Sequence, residues 1–245
     1  MRGGARGGVR RFAEREWGPL LKTVAYALHT QRWRAIGLTL SAVALTSVFQ
    51  IIQNQSWGFR PIQILGSVKA EYPLWISLLR TPFSLFVPAL DLPVWGALAQ
   101  VLLVFGVAEI CIGRGRMLLI AYAATLAGTL YARVGIRIGP DSVFGLPASA
   151  AEMVDTGPSA AVVALAVYVC WRYRAYWTAG VVVVSMVLEV VLKNNLAGKE
   201  HIAALLAVAV ICWITWLRRR RRRRRDHHDR GRRTGSLSGA PPIQS

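Results

Sequence analysis

"DTGPSAAVVALAVYVCWRYR", residues 155–174, decides how this chain is read. From Ala160 to Trp171 no residue carries a charge, and two arginines close the run at Arg172 and Arg174. Proline has no N–H to lose and fits the first turn of a helix, so Pro158 sets a helix start with Thr156 or Asp155 as its cap. Ser159 then lies in the first turn, where backbone N–H groups have no intrahelical acceptor. A serine hydroxyl beside free N–H groups can be a nucleophile with an oxyanion support, here the backbone of Gly157, Ser159 and Ala160. Taken alone, Gly-Pro-Ser is ordinary helix-start chemistry.

Outward from this stretch the chain is mostly apolar. Of 245 residues, 54 % are hydrophobic, and they fall in long runs nearly free of charge, as membrane spans require. Six runs stand out: 35–52, 92–112, 117–132, 158–171, 177–192 and 201–217. The expected fold is an all-α membrane protein, a six-helix bundle occupying residues 35–217. The fourth run is the shortest. At 1.5 Å per residue it rises about 21 Å, less than the roughly 30 Å hydrocarbon core.

The formal net charge of +18 would suggest a nucleic-acid partner in a soluble protein. Here the charge sits in the ends and turns. Of 30 Lys and Arg, 8 precede the first run, 2 lie in "GRGR", 2 in "RYR" and 11 in the tail from Arg218. The alternate loops hold the other 7. Cytoplasmic loops carry the excess of Lys and Arg, so both termini are expected in the cytoplasm and the bundle in the plasma (inner) membrane. Residues 1–34 form a basic segment with Trp17, Leu20, Leu21, Val24 and Leu28 at helical spacing, an amphipathic helix suited to the membrane interface. Residues 218–245 read as a disordered Arg-rich tail attracted to anionic lipid headgroups. No nucleic-acid partner is expected.

Cys111, Cys170 and Cys212 lie singly inside apolar runs, and His227 and His228 stand among arginines, so neither a disulfide framework, a metal site nor a cofactor is indicated. Between the first two runs, "EYPLWISLLRTPFSLFVPAL" carries Pro73, Pro82, Pro88 and Arg80. A clean crossing there is disfavoured, and a loop dipping into the membrane is the expected form. Ionisable groups within spans are costly and therefore informative. Glu109, beside "GRGR", is expected to pair with Arg114 or Arg116. Glu189 and Lys193, four apart, suit one helix face. His201 opens the sixth run. Counted from Arg172 and Arg218, Ser159 and His201 stand at heights of about 20 and 25 Å, close enough for a Ser/His dyad.

With these residues on one topology, the chain resembles the rhomboid family of intramembrane serine proteases. "VFGVAEICIGRGRMLLIAYAATLAGTLYARV" is similar to that family's second and third spans, "GPSA" stands where the family has Gly-x-Ser-Gly, and "EHIAALLA" where it has a His followed by small residues. The resemblance covers residues 85–217 and implies a water-filled cavity, Ser159 as nucleophile, His201 as general base, and transmembrane protein segments as substrates. Asp155 is a candidate orienting acid. The pattern departs from the family at Ala160, which replaces a second Gly, and at Ala204 and Val208, where span six would carry Gly. It departs again near Pro93 and Ala97, where the family has a His and an Asn of the oxyanion hole. The alternative is a catalytically inactive rhomboid-like protein that binds transmembrane helices.

Overall fold

A computed structural model describes residues 3–88, 93–193 and 195–237, with side chains for 8–88, 93–193 and 195–222. In chain order the helices are α1 (Gly3–Glu16), α2 (Gly18–Gln31), α3 (Gly37–Gln53), α4 (Phe59–Gly66), α5 (Leu74–Ser84), α6 (Val94–Gln100), α7 (Gly106–Ile112), α8 (Arg114–Ile138), α9 (Ser159–Tyr173), α10 (Tyr176–Lys193) and α11 (Leu196–Leu237). Among the described residues there is no strand, only an isolated antiparallel bridge between Val68 and Asp155.

Among the described residues, five helical segments are long and apolar enough to cross a membrane: Gly18–Gln53, Val94–Ile112, Arg114–Ile138, Tyr176–Lys193 and Leu196–Arg222. The first joins α2 to α3 through a 3-10 turn at Arg32–Ile36. The second joins α6 to α7 through a π-helical turn at Val101–Phe105. The remaining expected span, α9, is apolar but only 15 residues long. The expected spans are otherwise recovered with moved edges. α8 runs on to Ile138 and takes in Arg133 and Arg137, because the Arg133 guanidinium donates to Ser77 Oγ at 2.6 Å and to the Lys69 carbonyl at 3.4 Å. α11 starts at Leu196, where Asn195 Oδ1 accepts the Gly198 N–H at 2.9 Å and caps the helix.

α9 lies at the centre of this packing, against α8 and α10. It buries Ala161, Val163, Ala164, Leu165, Tyr168 and Val169, whereas α10 buries no residue. Small residues let α9 approach its neighbours closely, and the β-branched valines of α10 face outward as a lipid-exposed surface would. On α3 the buried positions are Thr39, Ala42, Thr46, Phe49 and Gln53, a single stripe at helical spacing.

The loop expected to dip into the membrane contains α5, with α4 just before it. Polar groups of α5 turn inward: Thr81 Oγ1 donates to the Ser77 carbonyl at 2.7 Å, and Arg80 Nη1 to the Ser67 carbonyl at 3.2 Å. The N-terminal segment forms two helices, broken at Trp17 before Gly18-Pro19. Glu16 Oε1 accepts from Thr178 N at 2.8 Å in the first turn of α10, where a carboxylate also meets the positive end of the helix dipole. Trp17 Nε1 donates to Thr178 Oγ1 at 2.9 Å.

The chain divides into two units at Val208 and Ala209. In the second, Trp213 and Trp216 stack at 5.6 Å and the Arg220 guanidinium lies 5.2 Å from the Trp216 ring. The helix continues through the arginine run to Leu237, where composition had suggested disorder from 218 onward. Arginine is a good helix former, and the run follows an established helix without a breaker. Residues 238–245, the end of the expected tail, lie outside the described residues.

Candidate functional site

Asp155 belongs to a loop held against the segment between α4 and α5. Its N–H donates to the Val68 carbonyl at 2.8 Å, and Val68 N–H donates back at 3.3 Å. Two residues on, the Gly157 N–H donates to the Ser84 carbonyl at 2.9 Å. Gly157 has φ +105, a conformation closed to most L-residues, while the space where a Cβ would sit is open. Its glycine is there for the backbone.

The helix begins one residue later than expected. Pro158 is the cap position and Ser159 the first residue of α9, and neither Thr156 nor Asp155 makes a side-chain cap bond. The first intrahelical bond runs from Val162 N to the Pro158 carbonyl at 2.8 Å. That leaves the N–H groups of Ser159 and Ala160 without intrahelical acceptors. Gly157, expected to share in oxyanion support, has its N–H committed to Ser84. Ser159 is half-buried.

His201 lies in the second turn of α11 and is 9 % exposed. Its Nδ1 faces Glu189 Oε2 of α10 at 3.5 Å, within ion-pair reach but long for a hydrogen bond. Among the described residues no hydrogen bond joins Ser159 to His201. Glu189 therefore turns to the histidine on the next helix, where the i, i+4 rule had pointed to Lys193. The acid beside the imidazole is Glu189, and Asp155, the expected orienting residue, faces elsewhere.

Asp155 lines a cavity of about 10 Å³ together with Glu200, Thr129, Ala132, Ala150 and Leu196. Burial pushes the Asp155 carboxyl up to about 6. Glu200, 6 % exposed, packs so closely on α8 that a Cβ at Gly128 would come within 3.2 Å of the Glu200 Cβ. Glu200 Oε1 and Thr129 Oγ1 are buried without a hydrogen-bond partner. In the sequence this acid stands in "GKEH", directly before His201, and that adjacency is its one local signal.

Beside the start of α8, Glu109 behaves as expected and does more. Its Oε1 accepts from Arg114 Nε at 2.8 Å and Leu38 N at 3.0 Å. Its Oε2 accepts from Thr39 N and Thr39 Oγ1, both at 2.8 Å. Among the described residues no cluster of three or more His, Cys, Asp or Glu is arranged to hold a metal. Pro93 and Ala97, at the edge and within α6, have no side-chain donor. Compared with protein families, with curated proteins and with solved structures, the chain matches none.

Proposed function

We propose that this protein is a rhomboid-like intramembrane serine endopeptidase that cleaves peptide bonds in transmembrane segments. The observation that carries the reading is the buried His201 with Glu189 at its Nδ1. A carboxylate there favours the tautomer with its proton on Nδ1 and leaves Nε2 as the base, the division of labour that a serine nucleophile needs. In this mechanism Ser159 Oγ attacks the substrate carbonyl carbon and its proton passes to His201 Nε2. The N–H groups of Ser159 and Ala160 receive the oxyanion, and His201 then gives the proton to the leaving amine. Water enters and repeats the exchange to free the acid. The hydroxyl and imidazole close to about 2.6–3.2 Å as substrate binds; catalytic contacts are often longer in the free enzyme.

The same reading takes α9 as a sixth, short span at the centre of the bundle, and both termini as cytoplasmic. The distribution of Lys and Arg supports it, as do Trp213, Trp216 and Arg220 near the end of the last span, the residue types that anchor a helix at a membrane surface. The Arg-rich tail then lies against anionic lipid.

A second reading, a non-catalytic protein that binds transmembrane helices, is favoured by the lack of a Ser159–His201 hydrogen bond and by the absence of donors at Pro93 and Ala97. A fluorophosphonate probe on the full-length protein in micelles separates the two. The protease reading expects labelling that is abolished in Ser159→Ala, falls about 100-fold or more in His201→Ala, and is reduced in Glu189→Gln. Folded protein that takes no label supports the second reading.

A further inference from the structure

Lys69 lines the cavity with Asp155 and Glu200, yet neither it, nor Lys199 nearby in sequence, nor Arg133 of α8 turns to these acids. Lys69 Nζ donates to Glu71 Oε1 at 3.2 Å, Lys199 Nζ to the Gly145 carbonyl at 2.7 Å, and Arg133 to Ser77 Oγ at 2.6 Å. Among the described residues, no ion pair or side-chain hydrogen bond reaches Asp155 or Glu200. Two carboxyl groups thus share one small cavity whose lining cation, Lys69, is engaged by Glu71, so neither acid is held in an ion pair, an arrangement whose cost is high in a low-dielectric setting. A third oxygen is present. Thr129, 4 % exposed, lines the same cavity, and its Oγ1 has no partner.

We propose that Asp155, Glu200 and Thr129 form a binding site for a small monovalent cation, with sodium the ion of matching size. The cavity of about 10 Å³ accommodates a single water-sized occupant. Hard oxygen donors suit an alkali cation, while calcium seeks six to eight oxygens and magnesium a near-ideal octahedron. A single positive charge also compensates the two acids in part, and gives the threonine hydroxyl and Glu200 Oε1 the partner each lacks. A proton shared by the acids would neutralise one charge and leave the cavity and the Thr129 hydroxyl unengaged. Because α8 supplies Thr129, the loop Asp155 and α11 Glu200, the bound ion ties together three segments, two of which lead directly into Ser159 and His201.

The test is thermal unfolding of the full-length protein in micelles at pH 8, in sodium, potassium or N-methyl-D-glucamine chloride at equal ionic strength. Sodium is expected to raise the midpoint saturably, by about 5–10 °C at a hundred times its dissociation constant. Glu200→Gln and Asp155→Asn are expected to lose the response, and Thr129→Val to need more sodium for the same rise. Ser159→Ala is expected to keep it, so this proposal and the hydrolase reading fail separately. Saturable binding of radioactive sodium to the wild type supplies a second measurement should the carboxyl variants not fold. Equal midpoints in all three salts, no saturable binding, or a sodium response that survives Glu200→Gln overturns the proposal. A midpoint that depends on pH alone assigns the pair a shared proton and overturns it too.

Discussion

Glu109 and Glu200 are carboxyl groups of nearly equal burial, 5 % and 6 % exposed, one paired at the start of the long helix α8 and the other set against its middle. Their surroundings are opposite. Glu109 accepts four hydrogen bonds, two from backbone N–H groups at the start of α3, one from the Thr39 hydroxyl and one from Arg114. Glu200 faces an unpartnered hydroxyl, a second acid and a void. A buried charge with all its lone pairs engaged locks elements together, whereas one left unengaged costs stability and is kept only where something else requires it. The first acid explains how α3, α7 and α8 are joined; the second marks where the molecule is unfinished without a ligand.

Neutralising each acid is the most direct attempt to break this contrast, and the largest effect is expected at Glu109. Glu109→Ala strands two N–H groups and a hydroxyl, and should lower unfolding stability by about 3–5 kcal/mol. Glu200→Gln in sodium-free buffer removes an uncompensated charge and should be neutral or stabilising. Denaturant unfolding in micelles reads both. Equal destabilisation by the two substitutions would mean that Glu200 is engaged as Glu109 is.

Acidity sharpens the comparison next. The native Asp155 carboxyl sits at about 6 against an ordinary 3.8, so between these values the folded state holds more protons than the unfolded state. The Asp155 contribution to stability is therefore greatest below pH 4 and is lost as pH rises through about 6, a loss of up to about 3 kcal/mol. Glu200 and Lys69 line the same cavity, and Lys69, held up in pKa by its bond to Glu71, stays charged throughout. Unfolding in sodium-free buffer from pH 4 to 8 measures the slope, and Asp155→Asn should flatten it. Sodium should reduce the loss in the wild type. A flat wild-type profile would place Asp155 in a compensated setting.

Such differences show what a sequence discloses. Five of the six apolar runs overlap described helices long and apolar enough to cross a membrane, because lipid demands length and lack of charge. Glu109 and Arg114 were legible as partners because only a tight turn separates them. Glu189 was not, since the short-range rule favours Lys193, while His201 of α11, a helix capped at Asn195, comes to Glu189 from the next element. Likewise nothing local joins Gly157 to Ser84, or Asp155 to Glu200 across 45 positions; those contacts exist only once the segment between α3 and α6 and the loop before α9 pack together. Ser159 and His201 stood out by residue type, but their neighbours, which decide the chemistry, come from elsewhere in the chain.

The smallest expected effect tests whether the Glu109 site depends on its ion pair or on its backbone bonds. Arg114 is 61 % exposed at its side chain, so its attraction to Glu109 is screened by solvent even though the contact is 2.8 Å. It also donates from Nη2 to the Arg34 carbonyl at 3.2 Å, a second link to the turn before α3. Arg114→Ala should therefore cost about 1 kcal/mol or less, because Glu109 keeps Leu38 N, Thr39 N and the Thr39 hydroxyl. Thr39→Val, which removes only the buried hydroxyl, should cost about 1–2 kcal/mol despite leaving every charge in place. Measured side by side by denaturant unfolding, the threonine variant is expected to be the less stable. The reverse order would show that charge pairing, rather than hydrogen bonding at the start of α3, holds this end of the bundle, and Glu200 would then differ from Glu109 simply by lacking an arginine.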